Sequence, residues 1–335
     1  MDARAKSAVL QASRALGIHR IARRRMRGKL LVLCYHGVVA DDHPERFRYE
    51  NTVSVREFRQ QLEFVCRHYR PISGDDLIQA RENGRVPENA ALITFDDGYR
   101  NNLAAAEVLR QMGVPCIFFV TTNYIGTERI LWTDEVMNRV IAWPRAEIPL
   151  PGGGTEALPV NQAQRSGIAA SIKARCKRTS GAKLREYLEL LRQTPAEPVD
   201  NRELFGFLDW DGVRTLAGQG FEIGSHTVEH PILTRLTATE VDRELTESKR
   251  RIEVETWKPC RSIAYPNGGP EDVSGDVIEA ARRAGYQAGF TIAERFSDSG
   301  EDLMAISRLC VMGHLPSIVF EYRASGANEM AGWLR

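Results

Sequence analysis

Short apolar segments alternate with amphipathic segments along most of this 335-residue chain. Six of the apolar segments have the length and the unbroken apolar character of buried strands. They are residues 30–35, 91–95, 116–120, 221–224, 262–265 and 288–291. Strands that alternate with helices pair in parallel and are joined by right-handed crossovers. The sequence therefore predicts an α/β fold, and its length suits either one α/β barrel or two compact domains.

The ends of several helices are also visible in the sequence. The pattern Ser54-x-x-Glu57 is a capping box, in which two side chains satisfy backbone N–H groups at the start of a helix, and Thr237-x-x-Glu240 repeats it. Residues 102–112 are predicted to form a helix that ends at a glycine, because glycine commonly follows the last turn of a helix.

Two stretches, residues 1–29 and residues 127–208, do not follow the alternation. The first contains nine lysine and arginine residues and one acidic residue, a net charge of +8, whereas residues 30–335 carry a net charge of −7. We interpret the second as a partly helical insertion within the domain formed by residues 30–335. It is expected to have no core of its own and to cover the catalytic end of that domain as a lid.

The basic first segment is predicted to be an amphipathic helix or a pair of helices. Ala5, Val9, Ala12 and Leu16 share one side at helical spacing, Gly17 interrupts the pattern, and a group of arginines follows. Such a segment either contacts anionic lipid head groups or is a solvated helix packed on its own domain. The sequence leaves both interpretations open.

Composition excludes several classes of protein. Hydrophobic residues make up 43% and charged residues 27% of the chain, which are ordinary globular values and not those of a disordered or fibrous chain. The net charge of +1 argues against a nucleic-acid-binding protein. No two of the six cysteines have C-x-x-C spacing, so neither a zinc-thiolate site nor a disulfide framework is predicted.

The sequence also bears on the cellular location. The N-terminus lacks the apolar stretch of a secretory signal, and no segment approaches about 18 consecutive apolar residues. We therefore expect a cytoplasmic protein, peripheral to the inner membrane face if the basic segment binds lipid.

Polar residues follow four of the predicted strands at the point where each strand ends. The four segments are residues 30–37, 91–98, 221–227 and 262–269. In parallel α/β proteins the loops that follow the strands lie together at one face, and functional sites form there. The sequence therefore predicts one site to which all four loops contribute.

The residues in these loops are typical of a metal-assisted hydrolase. Asp96 and Asp97 are adjacent carboxylates, and His226 and His230 can face one point if the turn between them is helical. One aspartate and two histidines form a set that binds a divalent transition metal and leaves coordination positions open. The second aspartate would then be free to act as a base.

These two motifs, TFDDG at residues 94–98 and HTVEH at residues 226–230, resemble those of the polysaccharide deacetylase family, carbohydrate esterase family four. The resemblance covers residues 30–310. It implies a distorted (β/α) barrel of about seven strands that removes N- or O-acetyl groups from sugars with a metal-bound water. It also implies that Asp96 is the general base and that Asp97, His226 and His230 hold the metal. Zinc suits these ligands best, and Co²⁺, Ni²⁺ or Fe²⁺ also fit.

The third motif of that family departs from its usual form in this chain. The motif usually begins with an arginine that orients the base, and Ala264 stands at that position. Arg308 is a candidate to replace this arginine as the partner of Asp96. The backbone N–H of Asn267 is a candidate donor to the oxyanion, a role that requires no particular side chain.

The general acid is assigned to His36. The family usually supplies this histidine from a strand end near the C-terminus, where His314 has no clear strand context. His36 follows the first strand directly. This arrangement resembles the circularly permuted branch of the biofilm poly-N-acetylglucosamine deacetylases, which implies a role in exopolysaccharide biosynthesis.

Aromatic residues near the motifs are candidates for contacting a sugar ring. They are Tyr99, Trp132, Tyr265 and Trp210, and Pro266 of the third motif joins them as a candidate substrate contact. The sequence thus predicts a metal-dependent sugar de-N-acetylase that acts on a polysaccharide, an oligosaccharide, or a lipid- or nucleotide-linked precursor. An amidase that acts on a non-carbohydrate acetylated amide, and a catalytically silent sugar-binding protein, are the alternatives.

Overall fold

Strands and helices alternate along the chain. The structure is a computed structural model that describes residues 3–43, 51–85, 88–194, 202–313 and 316–333. The strands are β1 (Leu31–Tyr35), β2 (Gly37–Val39), β3 (Thr52–Ser54), β4 (Arg70–Pro71), β5 (Ala90–Phe95), β6 (Cys116–Val120), β7 (Glu147–Pro149), β8 (Thr155–Ala157), β9 (Glu222–Ser225), β10 (Ser262–Ala264), β11 (Ala288–Phe290) and β12 (Leu309–Cys310). The helices are α1 (Ala3–Ala15), α2 (Ile18–Arg25), α3 (Val55–His68), α4 (Gly74–Glu82), α5 (Asn102–Met112), α6 (Trp132–Ala142), α7 (Ser166–Lys177), α8 (Gly181–Arg192), α9 (Arg202–Phe205), α10 (Trp210–Gly218), α11 (Ala238–Thr256), α12 (Gly275–Arg283), α13 (Ser317–Ala324) and α14 (Ala327–Trp333).

Seven parallel strands follow one another in a curled sheet in the order β11-β10-β9-β6-β5-β1-β12, and the short strand β4 joins this sheet by pairing with β5. The chain around β12 brings the two edges of this sheet together, because Ile306 bridges to Phe290 of β11 and Leu309 pairs with Leu33 of β1. The result is a distorted barrel, which confirms the predicted fold class. Each of the six predicted strands is present with its ends displaced by no more than one residue.

Two apolar clusters lie on opposite sides of the sheet. Side chains from strands that are not neighbours, such as Val32 of β1, Phe119 of β6 and Phe290 of β11, belong to one cluster, which places that cluster inside the barrel. The alternate residues of the same strands, such as Leu33 and Phe118, pack in a second cluster with residues of the surrounding helices. Because both faces are buried, every residue of β1, β5 and β6 is buried, as their apolar sequences predict.

Helix α3 connects the two ends of the barrel. It begins at Val55, directly after the capping residue Ser54. The Ser54 Oγ accepts a hydrogen bond from the Glu57 N–H at 3.2 Å, and the Glu57 carboxylate accepts one from the Ser54 N–H at 2.9 Å. This confirms the first predicted capping box, and Thr237 with Glu240 forms the second. The helix ends just before β4, where Arg70 pairs with Ala90 at the start of β5. Its far end therefore lies beside the amino ends of the strands.

The basic N-terminal segment forms α1 and α2, separated by Gly17 at a φ of 76°. Leu10 is buried, and α1 packs on α13. Three residues of the predicted apolar side are exposed instead, namely Val9 by 55%, Leu16 by 76%, and Ala12. The apolar stripe found in the sequence thus faces outward in the described part of α1. No helix in the described ranges has the length and hydropathy needed to cross a bilayer.

The chain between β6 and β9 includes helices α6, α7 and α8 and the antiparallel hairpin β7–β8. These elements bury a third apolar cluster against one another, with Val136, Ile148, Ile172 and Leu191 at its centre. The expectation that residues 127–208 lack a core was therefore wrong. The predicted helix at residues 183–193 is present as α8.

Candidate active site

Three potential metal ligands meet at the carboxyl ends of the strands. Asp97 follows β5, whereas His226 and His230 follow β9. The Oδ1 atom of Asp97 lies 3.5 Å from the Nε2 atoms of both histidines. All three side chains are buried, and their candidate ligand atoms lie within 4.8 Å of one another. The structure thus brings together the three residues that the motifs single out.

The loop between the two histidines is held by Glu244, which the sequence did not mark as functional, and by Trp132. The buried carboxylate of Glu244, on α11, accepts hydrogen bonds from the backbone N–H groups of Val228 and Glu229 at 2.8 and 2.9 Å. Trp132 donates its Nε1–H to the carbonyl oxygen of His230 at 3.0 Å. These bonds hold the turn in which His230 has a left-handed φ of 54°. Glu244 looked like an ordinary helix residue in the sequence, and only the fold places it beneath this loop.

His226 is oriented as a metal ligand requires, and both histidines are neutral. The Nδ1 atom of His226 lies 2.7 Å from the carbonyl oxygen of Ala264, so Nδ1 carries the proton and Nε2 presents its lone pair toward Asp97. Burial lowers the pKa of both histidines, which keeps the imidazoles neutral. The Nδ1 atom of His230 has no partner among the described residues.

The charge on Asp97 also suits a bound cation. Burial raises the pKa of Asp97 well above its usual value, and the neighbouring Asp96 and Asp134 raise it further. A positive ion among these groups would remove that penalty, because an opposite charge stabilises a buried carboxylate. One carboxylate oxygen and two imidazole nitrogens are the donor set of many zinc sites. The residues present therefore fit a divalent transition metal.

Asp96 faces the barrel interior and forms a buried ion pair with Arg308. The two guanidinium nitrogens of Arg308 donate to the two carboxylate oxygens of Asp96 at 2.7 and 2.8 Å. Arg308 has 0% and Asp96 2% of its surface exposed. Burial alone would raise the pKa of Asp96, but the charge and the hydrogen bonds of Arg308, together with His226 and His36, outweigh it and hold this pKa below its usual value. Asp96 is therefore ionised, and its orientation is fixed.

His36 follows β1 and lies beside this ion pair. A nitrogen of its ring, an oxygen of Asp96 and the sulfur of Cys34 are within 4.8 Å of one another. Burial lowers the pKa of His36 to about 4, although the charge of Asp96 acts in the opposite direction. Its Nδ1 has no partner among the described residues. The alternative histidine, His314, lies outside the described residues.

The third-motif loop is tied to helix α7 of residues 127–208. Asn267 has a left-handed φ of 63°. Its amide oxygen accepts a hydrogen bond from Lys177 of α7, and its amide nitrogen donates to Asp272. The side chain of Asn267 is thus fully engaged, whereas its backbone N–H has no acceptor in the described ranges. Lys177 was missed in the sequence, since no motif in residues 127–208 singles it out.

The aromatic candidates occupy a different place from the one expected. Tyr99, Trp132 and Tyr265 are 3%, 5% and 1% exposed. The Tyr265 hydroxyl donates to the carbonyl of Met304, and Pro266 is also buried. The expectation that these residues are open platforms for a sugar ring was wrong. Large aromatic side chains are more often part of the protein interior, and here they support the site from behind.

The fold and the site together define a class of protein. It is an α/β barrel with a cluster of carboxylates and imidazoles at the carboxyl ends of its strands, the position of active sites in such barrels. The sequence model of the polysaccharide deacetylase family matches residues 83–289, and the chain belongs to this family.

Individual relatives agree with this assignment. A segment of the chain is 27% identical over 99 residues to YxkH of Bacillus subtilis strain 168, whose name places it among the polysaccharide deacetylases. The match covers 30% of this chain and 34% of that protein, so it spans only about a third of the relative.

Solved structures show the same fold. The Streptococcus pyogenes deacetylase PplD in complex with acetate is 17% identical with a TM-score of 0.57, and the match covers 85% of this chain and 93% of PplD. IcaB from Ammonifex degensii is 18% identical with a TM-score of 0.56, and the match covers 89% and 97% of the two chains. The BpsB deacetylase domain from Bordetella bronchiseptica is 19% identical with a TM-score of 0.51, over 85% and 96%. At these identities the similarity is one of fold.

Proposed function

We propose that this protein hydrolyses the acetamido group of N-acetylated sugars, releasing acetate and a free amine. The observation that carries the proposal is the arrangement of Asp96, Asp97, His226 and His230. One carboxylate faces two neutral imidazoles, and the adjacent carboxylate is kept ionised by a buried arginine. A catalytically silent binding protein would have no use for a buried, oriented base beside an apparent ligand set.

Asp97, His226 and His230 would hold a divalent metal ion, with zinc the best fit and Co²⁺, Ni²⁺ or Fe²⁺ also suitable. Such an ion lowers the pKa of a bound water and polarises the acetyl carbonyl. The chain itself supplies the orientation. The Ala264 carbonyl sets the tautomer of His226, and Trp132 and Glu244 hold the loop that carries His230.

Asp96 acts as the general base in this proposal. Its ionised carboxylate accepts a proton from the attacking water, and Arg308 keeps it both charged and directed toward the site. Arg308 thus orients the base, a role that the alanine at position 264 cannot perform. The backbone N–H of Asn267 donates a hydrogen bond to the oxyanion that forms on the acetyl group.

His36 acts as the general acid. The C–N bond of an amide breaks only when the nitrogen is protonated, because an amide anion is a poor leaving group. His36 lies beside Asp96 but outside the ligand set. Because burial lowers its pKa to about 4, the ring first takes up the proton that Asp96 removes from the attacking water and then gives it to the departing nitrogen. This need favours an N-acetyl over an O-acetyl substrate.

The substrate is proposed to be an acetylated sugar in a polysaccharide, an oligosaccharide, or a lipid- or nucleotide-linked precursor of an exopolysaccharide. Residues 127–208 act as a lid in this proposal, since Lys177 of α7 reaches the Asn267 loop. The protein is further proposed to be cytoplasmic and to contact anionic membranes through residues 1–29. The exposed Val9 of α1 and the exposed Leu16, which follows that helix, support that contact.

One observation favours a second candidate, an amidase that acts on a non-carbohydrate acetylated amide. None of Tyr99, Trp132 and Tyr265 offers an open ring for a sugar. The two candidates are separated by incubating the metal-loaded protein with N-acetylglucosamine oligomers, acetylated nucleotide sugars and acetylated polyamines. Mass spectrometry then scores the exchange of acetyl for hydrogen.

Asp96→Asn is the decisive variant for catalysis. It keeps the shape of the side chain and removes the base, so turnover should be lost while metal content, measured by elemental analysis, is retained. Deacetylation of sugars by the wild type and its loss in this variant would support the proposal. Full turnover in the variant would refute it, and activity on polyamines alone would favour the second candidate.

A further inference from the structure

A cleft with strongly basic walls lies at the end of the barrel opposite the candidate active site. It has a volume of about 350 Å³ and is formed by α1, α2, the last turn of α3 and α13. The last turn of α3 lies beside β4 and the amino ends of the strands, whereas Asp97 and the histidines follow the carboxyl ends. The 14 residues of α3 extend about 21 Å at 1.5 Å per residue, which gives the scale of the separation.

The walls of this cleft carry more positive than negative charge among the described residues. Four arginines line it, Arg14, Arg20, Arg23 and Arg67. The carboxylate that lines it, Glu321, pairs with Arg14 at 3.2 Å. In the described ranges the other three arginines have no ion pair with a carboxylate.

An aromatic ring and two histidines also line the cleft, and they favour binding of an anion. The Arg23 guanidinium lies 5.9 Å from the centre of the Phe64 ring, which anchors it over an apolar floor. His19 and His68 also line the cleft. Burial lowers the pKa of each histidine, and Arg23 lowers it further. The histidines therefore experience the same positive potential that an anion would find.

Exposed apolar residues adjoin cleft-lining residues in the sequence. Leu16 is 76% and Ile21 is 48% exposed; Leu16 precedes Gly17 and Ile21 follows Arg20, and both Gly17 and Arg20 line the cleft. Segments that lie in a membrane interface combine such residues with arginines, since the apolar side chains enter the acyl boundary while the cations meet the phosphates. A site for a soluble anion would have no need of the exposed leucine and isoleucine.

We propose that this cleft binds the phosphate monoester head group of an anionic phospholipid. Guanidinium groups pair with phosphate oxygens in a bidentate manner, and a monoester offers three such oxygens and a charge of about −1.5 to −2 at pH 7. The cleft volume lies in the range of ordinary ligand sites. The inference refines the proposed membrane contact, because it replaces general attraction to negative charge with a defined head-group site. It also turns the candidate active site away from the bilayer.

The experiment compares binding of the full chain to vesicles that contain phosphatidate with binding to vesicles that contain phosphatidylglycerol, at matched surface potential. Two double variants remove the same charge from exposed positions. Arg20→Gln with Arg67→Gln alters the cleft, whereas Arg24→Gln with Arg25→Gln alters exposed arginines of α2 that do not line it. The readout is the ratio of the two affinities, which general electrostatic attraction does not change.

The wild type should prefer phosphatidate by about tenfold or more, the scale of one or two added charge-assisted contacts. The cleft variant should lose the preference, while the control variant binds both vesicles more weakly and keeps it. Equal ratios for all three proteins would overturn the head-group site. The same conclusion follows if calorimetry shows inorganic phosphate in the cleft without any vesicle preference, since the ligand would then be a soluble anion.

These outcomes are distinct from a failure of the proposed membrane contact or of the proposed activity. Absence of binding to every anionic vesicle would overturn the contact through residues 1–29 together with the site. Deacetylation of a soluble substrate should be unchanged in both double variants, because the cleft and the candidate active site lie at opposite ends of the barrel.

Discussion

Replacing Arg308 with methionine tests the link between the barrel interior and the proposed base. Arg308 is fully buried and holds both oxygens of Asp96. Its removal leaves a buried carboxylate without its counter-charge and without two hydrogen bonds at 2.7 and 2.8 Å. Breaking one side of a buried ion pair typically costs about 3–5 kcal/mol. We therefore expect Arg308→Met to lower the free energy of unfolding by that amount.

The loss should not be additive. Asp96→Asn alone leaves a buried guanidinium without its anion and should also destabilise strongly. The double variant Asp96→Asn with Arg308→Met contains neither charge, so its free energy of unfolding should be well above that expected from the sum of the single changes. Urea unfolding of the four proteins measures the coupling. Additive losses would refute the interpretation that the pair is held together by its charges.

Activity and stability should respond to pH in a defined direction. In the wild type the pKa of Asp96 lies below its usual value, so the pair contributes stability above the unfolded pKa, and that contribution is lost as the pH falls through the folded pKa. Without Arg308 burial dominates and raises the pKa of Asp96. The deacetylation rate of Arg308→Met should be low at neutral pH and recover in alkali. An unshifted pH profile would show that Arg308 does not control the base.

Three further outcomes are expected. Ala264→Arg introduced together with Arg308→Ala restores an arginine at the family position, and it should recover activity that Arg308→Ala alone loses; no recovery would contradict the assigned replacement. Asp97→Asn should weaken binding of Zn²⁺ by at least tenfold in a calorimetric titration and leave the fold intact by circular dichroism. Burial raises the pKa of Glu222 to about 7 in the folded protein. The protonated side chain therefore stabilises the fold at pH values below the pKa that Glu222 has in the unfolded chain, and this stabilisation is lost as the pH rises through 7. Glu222→Gln should therefore gain about 2 kcal/mol of stability relative to the wild type between pH 5 and pH 8 in urea unfolding, and a pH-independent difference would argue against it.

The fold was predictable to the extent that it depends on local patterns. The six strand segments were visible because both faces of a parallel strand are buried, so the strands are continuously apolar. Strands β4 and β12 contain only two residues each and leave no such pattern. The stripe containing Val9 and Leu16 was a correct sign of an amphipathic helix, but its periodicity could not tell which side packs on the domain.

In the candidate site, too, only the residues that belong to a local sequence pattern were predictable. Strand-end motifs singled out Asp97, His226 and His230 because these residues are close to a strand in sequence as well as in space. Glu244 and Lys177 come from helices and reach the site only through tertiary packing, so no local pattern marks them. Tyr265 was wrongly expected to face a sugar. A side chain at the end of a strand points to one of two faces, the sequence did not show which, and the ring of Tyr265 is buried.

The backbone of the site loops carries a cost that limits how the protein can change. Of the seven non-glycine residues with left-handed φ in the described ranges, Asp97, Thr227, His230 and Asn267 belong to these loops. Each conformation of this kind costs about 1 kcal/mol or more and persists only where the surroundings impose it. Glycine at Asn267 would relax the loop and release its ties to Lys177 and Asp272. Substitutions selected for higher thermal stability should therefore lie far from these loops. Substitutions that relieve backbone strain within the loops would displace the side chains of the candidate active site.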